Sequence, residues 1–422
     1  MKKLILMSTT LLSSAVMAAM PVNHPVGSSF TLSSSPNQRS LSTALGNPAA
    51  PFLMVNEQDN DSFRFGILGP LGVGVEFGDV SDLEDQVENL EDILDTDYGS
   101  DTTAGDAAAD DANEILAEIG DSAYVKTSVS MQVPLMPVIY KTKNNGAFIL
   151  DASISGSLKA SLLAGEVEYD SSDEDFETDT SLYAQTVTDL NIGLGYSQSV
   201  WENSHGMLVG GVKANLHQIS LGRALAVLDD ASDDDDYDAG DEISDGLSDD
   251  SVSSTGLGFD LGLIWVSHYY QAGVTFANIN EPEFDGVSID ASGAPEGYDI
   301  SANDTYIMEM QTTIDAAVTT PGKQVTLGFS YDVNPVEDAV GDEYQWAAAS
   351  LSYYGDSHFL PGLRLGLRQN MAGSELSYAS AGLTLLKRLN LDLAVALDTV
   401  EDEDGEETPR SFFFSLGYST AF

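Results

Sequence analysis

The sequence has no cysteine, which excludes disulfides, zinc–thiolate sites and thiol nucleophiles. Basic residues are scarce: 16 Lys and Arg stand against 68 Asp and Glu, a formal net charge of −52. Such a balance argues against nucleic acid and against anionic membrane surfaces as primary partners. Long apolar runs are missing too. Beyond the first twenty residues, no stretch approaches the ~20 apolar residues that a membrane helix needs. The vocabulary of catalysis is equally thin. His24, His205, His217, His268 and His358 include no pair at metal-ligand spacing. No GxSxG elbow occurs, and runs such as GLGFDLG sit inside strand patterns, where they do not read as phosphate loops. No catalytic residue and no metal ligand is nominated, so an enzyme is not expected.

What is present starts at the N-terminus. MKKLILMSTTLLSSAVMAAM has Lys2 and Lys3, an apolar run from Leu4 to Val16 and small residues around Ala18. This reads as a cleaved secretory signal over 1–19, which places the mature chain outside the cytoplasm.

From Phe63 onward the chain alternates with a period of two. Leu257, Phe259, Leu261 and Leu263 share one face, opposite Gly256, Gly258, Asp260 and Gly262. Leu363, Leu365 and Leu367 oppose Arg364, Gly366 and Arg368; Leu391, Leu393 and Leu397 oppose Asp392, Ala394 and Asp398. The terminal FFFSLGYSTAF repeats the theme, with Phe412, Phe414, Leu416, Tyr418 and Phe422 on one parity. Soluble sandwiches also alternate, but over shorter strands. Many runs here have the roughly 9–11 residues or more that a tilted strand needs to cross a bilayer. A closed barrel is the one β-architecture that satisfies its whole backbone in lipid.

Fourteen strands are expected: 63–77, 124–140, 147–163, 182–200, 206–224, 252–267, 269–279, 304–318, 324–335, 343–354, 363–371, 376–387, 391–400 and 411–422. Connections after even-numbered strands are short, such as WENSH and TTPGK, whereas most of the others are long or acidic. That asymmetry is the pattern of an outer-membrane barrel of a Gram-negative bacterium, with short periplasmic turns and long outer loops. The expected fold is therefore all-β: a transmembrane antiparallel barrel over 63–422, preceded by a segment 20–62 that needs a place inside it. A helical insertion is expected at 81–120, and acidic extracellular loops at 164–181, 225–251, 280–303 and 401–410.

The segment PNQRSLSTALGNPAAPF, residues 36–52, resembles the N-terminal hatch of the FadL-like outer-membrane transport superfamily. The match is its Asn47-Pro48-Ala49, and the whole pattern is most similar to the barrel proteins labelled conjugal-transfer TraF-like. The resemblance implies a plug formed around Gly46, Asn47, Pro48, Ala49 and Ala50. It also implies that Phe422, with Tyr418, forms the signal read by the barrel-assembly machinery. The conjugation label is shared with a thioredoxin-like periplasmic protein, which a cysteine-free barrel cannot be. Uptake of a hydrophobic or amphipathic solute is implied at superfamily level. The alternative is a structural or surface-interaction protein, related to conjugation or adhesion, without transport. Outer-membrane lipid and lipopolysaccharide are the expected surroundings.

Parity places Lys159, Lys213, Asp260, Arg364, Arg368 and Asp392 in the lumen, beside Asp151, Asp315, Glu309 and Asp398. Such rows either select ions in an open pore or pair with one another in a plugged one. In the insertion, Ser81 and Glu84 form a capping box, and Leu83, Val87, Leu90 and Leu94 fall at helical spacing. A second short helix is expected over 113–119. The pair forms either an apolar groove over the mouth or a simple mutual packing. The run 229–250 holds twelve acidic residues and no basic one, so a mobile, hydrated loop is expected. Weak Ca²⁺ or Mg²⁺ binding is its alternative, although no EF-hand spacing fits and no cofactor is otherwise expected.

Overall fold

The computed structural model describes residues 27–421 apart from 56–61, 81–82, 95, 97, 100, 143–145, 173–174, 228–238, 250, 296, 299, 356–359 and 402–406. The signal segment, Ser81 and Phe422 thus lie outside the described residues.

The wall begins with β1 (Phe63–Phe77) and β2, which runs in two pieces, Tyr124–Gln132 and Val138–Lys141. The long strands β3 (Gly146–Leu163), β4 (Ser181–Asn203), β5 (Gly206–Val227) and β6 (Val252–Val266) follow. Then come β7 (Tyr270–Ala277), β8 (Gln311–Thr319), β9 (Val325–Asp332) and β10 (Trp346–Tyr353). β11 (Gly362–Asn370), β12 (Ser377–Leu385), β13 (Leu389–Ala396) and β14 (Ser411–Ala421) complete it. Each strand pairs antiparallel with the next, and β14 returns to β1 through pairs such as Val73↔Phe414 and Phe65↔Thr420. The sheet has no free edge, which is the condition for a backbone to survive in hydrocarbon.

Burial is inverted relative to a soluble protein. Leu365, Leu367 and Leu393 are 58, 60 and 52% exposed, while their neighbours Arg364 and Asp392 are 1 and 2% exposed. A continuous apolar outer band of this kind is stable only against lipid. No helix among the described residues is long and apolar enough to cross a membrane, so the strands make the crossing.

Several expectations need correction. The strand expected over 304–318 is divided: Asn303–Ile307 pairs with Glu283–Ser288 in a separate hairpin, and the wall strand begins only at Gln311. Glu309 falls in that break and is exposed, not luminal. Asp398 lies past the end of β13, also exposed, where it accepts hydrogen bonds from Ser377 N–H and Arg410 N–H. The connection 333–345, acidic in sequence, does not stand out in water. It folds inward, with Val340 and Asp338 at 0 and 1% exposure.

Helices lie within, above and beside the barrel. α1 (Ser28–Thr31) and α2 (Pro51–Met54) are single turns in the N-terminal segment. α3 (Leu83–Leu94) packs against α4 (Thr102–Ile119), which is longer than the expected 113–119. Asp101 starts α4 by accepting a hydrogen bond from Ala104 N–H at 3.3 Å, an N-cap that frees the alanine-rich first turns to be helical. Leu90, Ile93 and Leu94 meet Ala108, Ala112 and Leu116, together with Val167 and Phe176 of a small hairpin. Of the two arrangements open to this insertion, mutual packing is the one observed. The acidic run is not wholly loop either: α5 (Ala239–Asp249) sets Ile243 and Leu247 against Ala184, Ala224 and Ala226. These alanines have the outward parity of β4 and β5, so α5 covers the outer face of the ribbon. Residues 229–238 of that run lie outside the described residues.

Candidate functional site: the occluded lumen

Residues 27–55 run through the inside of the barrel. Near α1, Phe30 stacks on Phe413 at 4.3 Å between ring centroids, and Arg368 lies 5.1 Å from the rings of both Phe30 and Trp346. Arg368 Nη2 donates to the carbonyls of Ser29 (2.9 Å) and Leu32 (3.2 Å). The chain then passes β10 and β9, where Ser33 N–H and Ser34 N–H donate to the hydroxyls of Ser350 and Ser330. Asn37 Nδ2 donates to Ser352 Oγ at 3.1 Å. On the far side, Thr275 Oγ1 donates to Gly46 O and Phe52 N–H to Ser197 Oγ. Arg64 of β1 gathers the two ends, donating to Gln38 O (2.5 Å) and Met54 O (3.1 Å).

The residues singled out by the hatch resemblance form a tight turn against the wall. Asn47 Oδ1 accepts from Ala49 N–H at 2.9 Å while Asn47 O accepts from Ala50 N–H at 2.9 Å, an Asx-type turn closed by its own side chain. Asn47 Nδ2 donates to Val274 O. Gly262 of β6 lets Asn47 and Pro48 approach, because a Cβ there would overlap both. Asn47, Ala49 and Ala50 are 0% exposed and Pro48 is buried, while Gly46 stays exposed to the luminal cavity. With Phe52, Leu53 and Met54 they pack on Ile139, Ile149, Val209 and Ile264, an apolar floor at the turn-bearing end of the barrel.

The opposite mouth is closed by outer loops. Phe284 and Val287 of the 283–307 hairpin pack on Val187, Ile219, Leu221 and Val340. Beside them Lys126 Nζ donates to Asp338 (2.7 Å), Asp342 (2.5 Å) and Tyr344 Oη (2.6 Å), and Lys159 pairs with Asp342 at 2.6 Å. Burial pushes the Asp342 carboxyl up, but the Lys126 and Lys159 ammonium groups outweigh it and hold the carboxyl below its ordinary value. Lys126 and Asp338 were not legible as a site, since one is in a strand and the other in a loop 212 positions away.

The luminal charges point inward, and several of them pair. Lys213 meets Asp151 at 3.2 Å, and Asp260 accepts from Asn215 Nδ2 (2.6 Å) and Asn278 N–H (2.9 Å). Arg364 Nε and Nη2 grip Asp392, which also accepts from Ser28 Oγ at 3.0 Å. His217 Nδ1 faces Asp189 at 3.0 and 3.2 Å. Tyr418 faces outward, half-buried, opposite Leu68 and Leu389. Between floor and lid lies a polar chamber of about 210 Å³, reached by Gly46, Lys213, Asp260, His217 and Arg368. Among the described residues no group of three or more His, Asp or Glu is arranged to hold a metal ion.

Residues 44–332 match the family model described as "F plasmid transfer operon, TraF, protein". The chain belongs to this family. Within it, the matched region runs from just before the Asn47 turn to the end of β9, so it takes in the floor and most of the chamber wall. No curated protein matches this chain. Solved structures similar to it include a FadL homologue of Pseudomonas aeruginosa, at 12% identity, covering 96% of this chain and 99% of that one, with a TM-score of 0.45. The Pseudomonas putida toluene transporter TodX is similar at 13% identity over 94% of this chain and 95% of that one, TM-score 0.44. A TodX deltaS2S3 mutant, titled a monoaromatic hydrocarbon channel, aligns at 11% identity over 96% and 100%, TM-score 0.49.

Proposed function

We propose that this TraF-family barrel sits in the outer membrane of a Gram-negative bacterium and passively admits a small amphipathic solute, with residues 27–55 as its hatch. One observation carries the reading: at the turn-bearing end the lumen is blocked by a segment tethered to the wall, not by the wall itself. Many of those tethers are single hydrogen bonds to serine and threonine hydroxyls, each worth about 1 kcal/mol net, so the segment can leave without unfolding the barrel.

The wall beside the hatch supports a lateral route. β1 slips register between Gly66 and Leu68 and again before Leu71, and β2 is interrupted between Gln132 and Val138. Gly27, Leu41 and Ser42 line a small cleft behind this break, with Pro70 and Pro137. The reading is non-enzymatic; its partners are outer-membrane lipid, lipopolysaccharide and, for the final strand with Tyr418 and Phe422, the barrel-assembly machinery. The polar chamber favours an amphipathic cargo over a purely hydrophobic one, since an apolar molecule would leave the chamber's polar groups unmet.

Deleting residues 20–52 tests it. In planar bilayers the truncated barrel should carry a higher ion conductance than the full-length protein. Unchanged conductance would favour a surface-interaction role instead.

A further inference from the structure

The central chamber has polar atoms with nothing to bind. Gln132 Oε1, Asn191 Oδ1, Asn215 Oδ1 and His217 Nε2 line it and have no hydrogen-bond partner among the described residues. Gln132, Asn215 and His217 are 2, 4 and 1% exposed. A buried polar atom left unmet costs about 1–3 kcal/mol, so several facing one cavity call for an occupant.

The roles of these atoms can be assigned. Asn215 Nδ2 donates to Asp260, which leaves Oδ1 as the free atom. His217 Nδ1 faces the Asp189 carboxylate, which leaves Nε2 as the ring nitrogen turned to the chamber, an acceptor in the neutral ring. Gln132 and Asn191 add two amide oxygens. On the donor side stand Arg368 Nε and the Gln311 Nε2 amide, with the hydroxyls of Ser29 and Ser130 serving either way. Among the unpartnered buried atoms of the lining, oxygen acceptors therefore outnumber nitrogen donors. Its charge agrees: Asp151, Asp189, Asp260 and Asp332 face the chamber against Lys213 and Arg368. Lys213 is spent on Asp151, and Arg368 gives its Nη2 to the carbonyls of Ser29 and Leu32, with Nε left over.

We propose that the chamber is a binding site for a small organic ammonium ion, such as a secondary amine carrying hydroxyl groups. An acceptor-rich, net-acidic cavity pairs with N–H donors and positive charge. At about 210 Å³ it is somewhat larger than an engineered cavity of ~150 Å³ that holds benzene, which sets the size of the guest. The site deepens the transport reading by naming its solute class. Binding is measured on the closed barrel and conductance on the truncated one, so either can fail without the other.

The test uses the full-length mature chain in detergent micelles. Trp346 lines the chamber, and with Trp201→Phe and Trp265→Phe it becomes the sole tryptophan reporter. After overnight equilibration, diethanolammonium should produce a saturable change in its emission. Diethylene glycol, nearly the same shape but uncharged, should bind at least tenfold more weakly. Asp260→Asn should raise the amine Kd at least tenfold, and Gln132→Glu, which adds a carboxylate at a free acceptor, should lower it. The two variants act in opposite directions, so failure of one to fold leaves the other decisive. No saturable binding, equal affinity for the two probes, or no change in Kd for any variant that folds would overturn the proposal and leave the chamber to water alone.

Discussion

Arg364 on β11 and Asp392 on β13 are joined by two parallel hydrogen bonds of 2.9 Å, Nε to Oδ1 and Nη2 to Oδ2, across the intervening strand β12. The residue between them is Gly382, paired with Arg364 on one side and Asp392 on the other. A Cβ at Gly382 would overlap both partners, so the glycine is what lets a guanidinium and a carboxylate meet over a strand. Asp392 also holds Ser28 of the N-terminal segment, which ties wall and hatch together.

Removing one partner of this pair strands the other charge in a site that is almost fully buried. Arg364→Met is expected to cost about 3–5 kcal/mol, while the double variant with Asp392→Leu should recover most of that loss. Urea unfolding in lipid vesicles measures both, and additive losses would show that the two side chains act independently.

Acid should loosen the outer seal. The Asp342 carboxyl is held below its ordinary value by Lys126 and Lys159, so its stabilising effect is complete above the ordinary carboxylate pKa of ~3.9 and fades as pH falls through the lower folded value. Protease accessibility of the 333–345 loop is expected to rise below about pH 4. Asp342→Asn should show the raised accessibility already at neutral pH and respond much less to acid.

Arg64 is expected to behave as a latch. It bonds Gln38 O and Met54 O, the two ends of the stretch that covers the floor. Arg64→Gln should leave the barrel folded, by its heat-shifted gel mobility, yet produce intermittent openings in planar bilayers that the unsubstituted protein lacks. A silent variant would mean that the apolar floor holds the segment by itself.

On the lipid face, Leu365→Arg places a charge near the middle of β11, with an expected cost of about 2–4 kcal/mol. Leu397→Arg, just past the end of β13, should cost roughly 1 kcal/mol or less, because charge near the interface reaches water. Equal costs at the two positions in vesicle-based urea titrations would contradict a membrane-facing band at this height.

Strand pattern was legible because it is local. Leu363, Leu365 and Leu367 against Arg364 and Arg368 declare two faces within seven residues, and short turns mark the strand ends. The same locality misled over 304–318: the alternation continues through Asn303–Ile307, but that piece is captured by Glu283–Ser288, a partner no local window contains. In the run 229–250, carboxylates outnumber the two apolar residues that matter, Ile243 and Leu247. Their helical spacing acquires meaning only once the alanines of β4 and β5 offer a surface to cover.

By itself, then, the chain determined the number of wall strands and which parity meets lipid, since these depend on period-two order and on the cost of charge in hydrocarbon. Closure decided the rest. Only when β14 returned to β1 did Lys126 come to Asp338, Asp392 to Ser28, and Asn215, His217 and Gln132 to one chamber, because those distances are set by register around a ring and carry no trace in neighbouring residues.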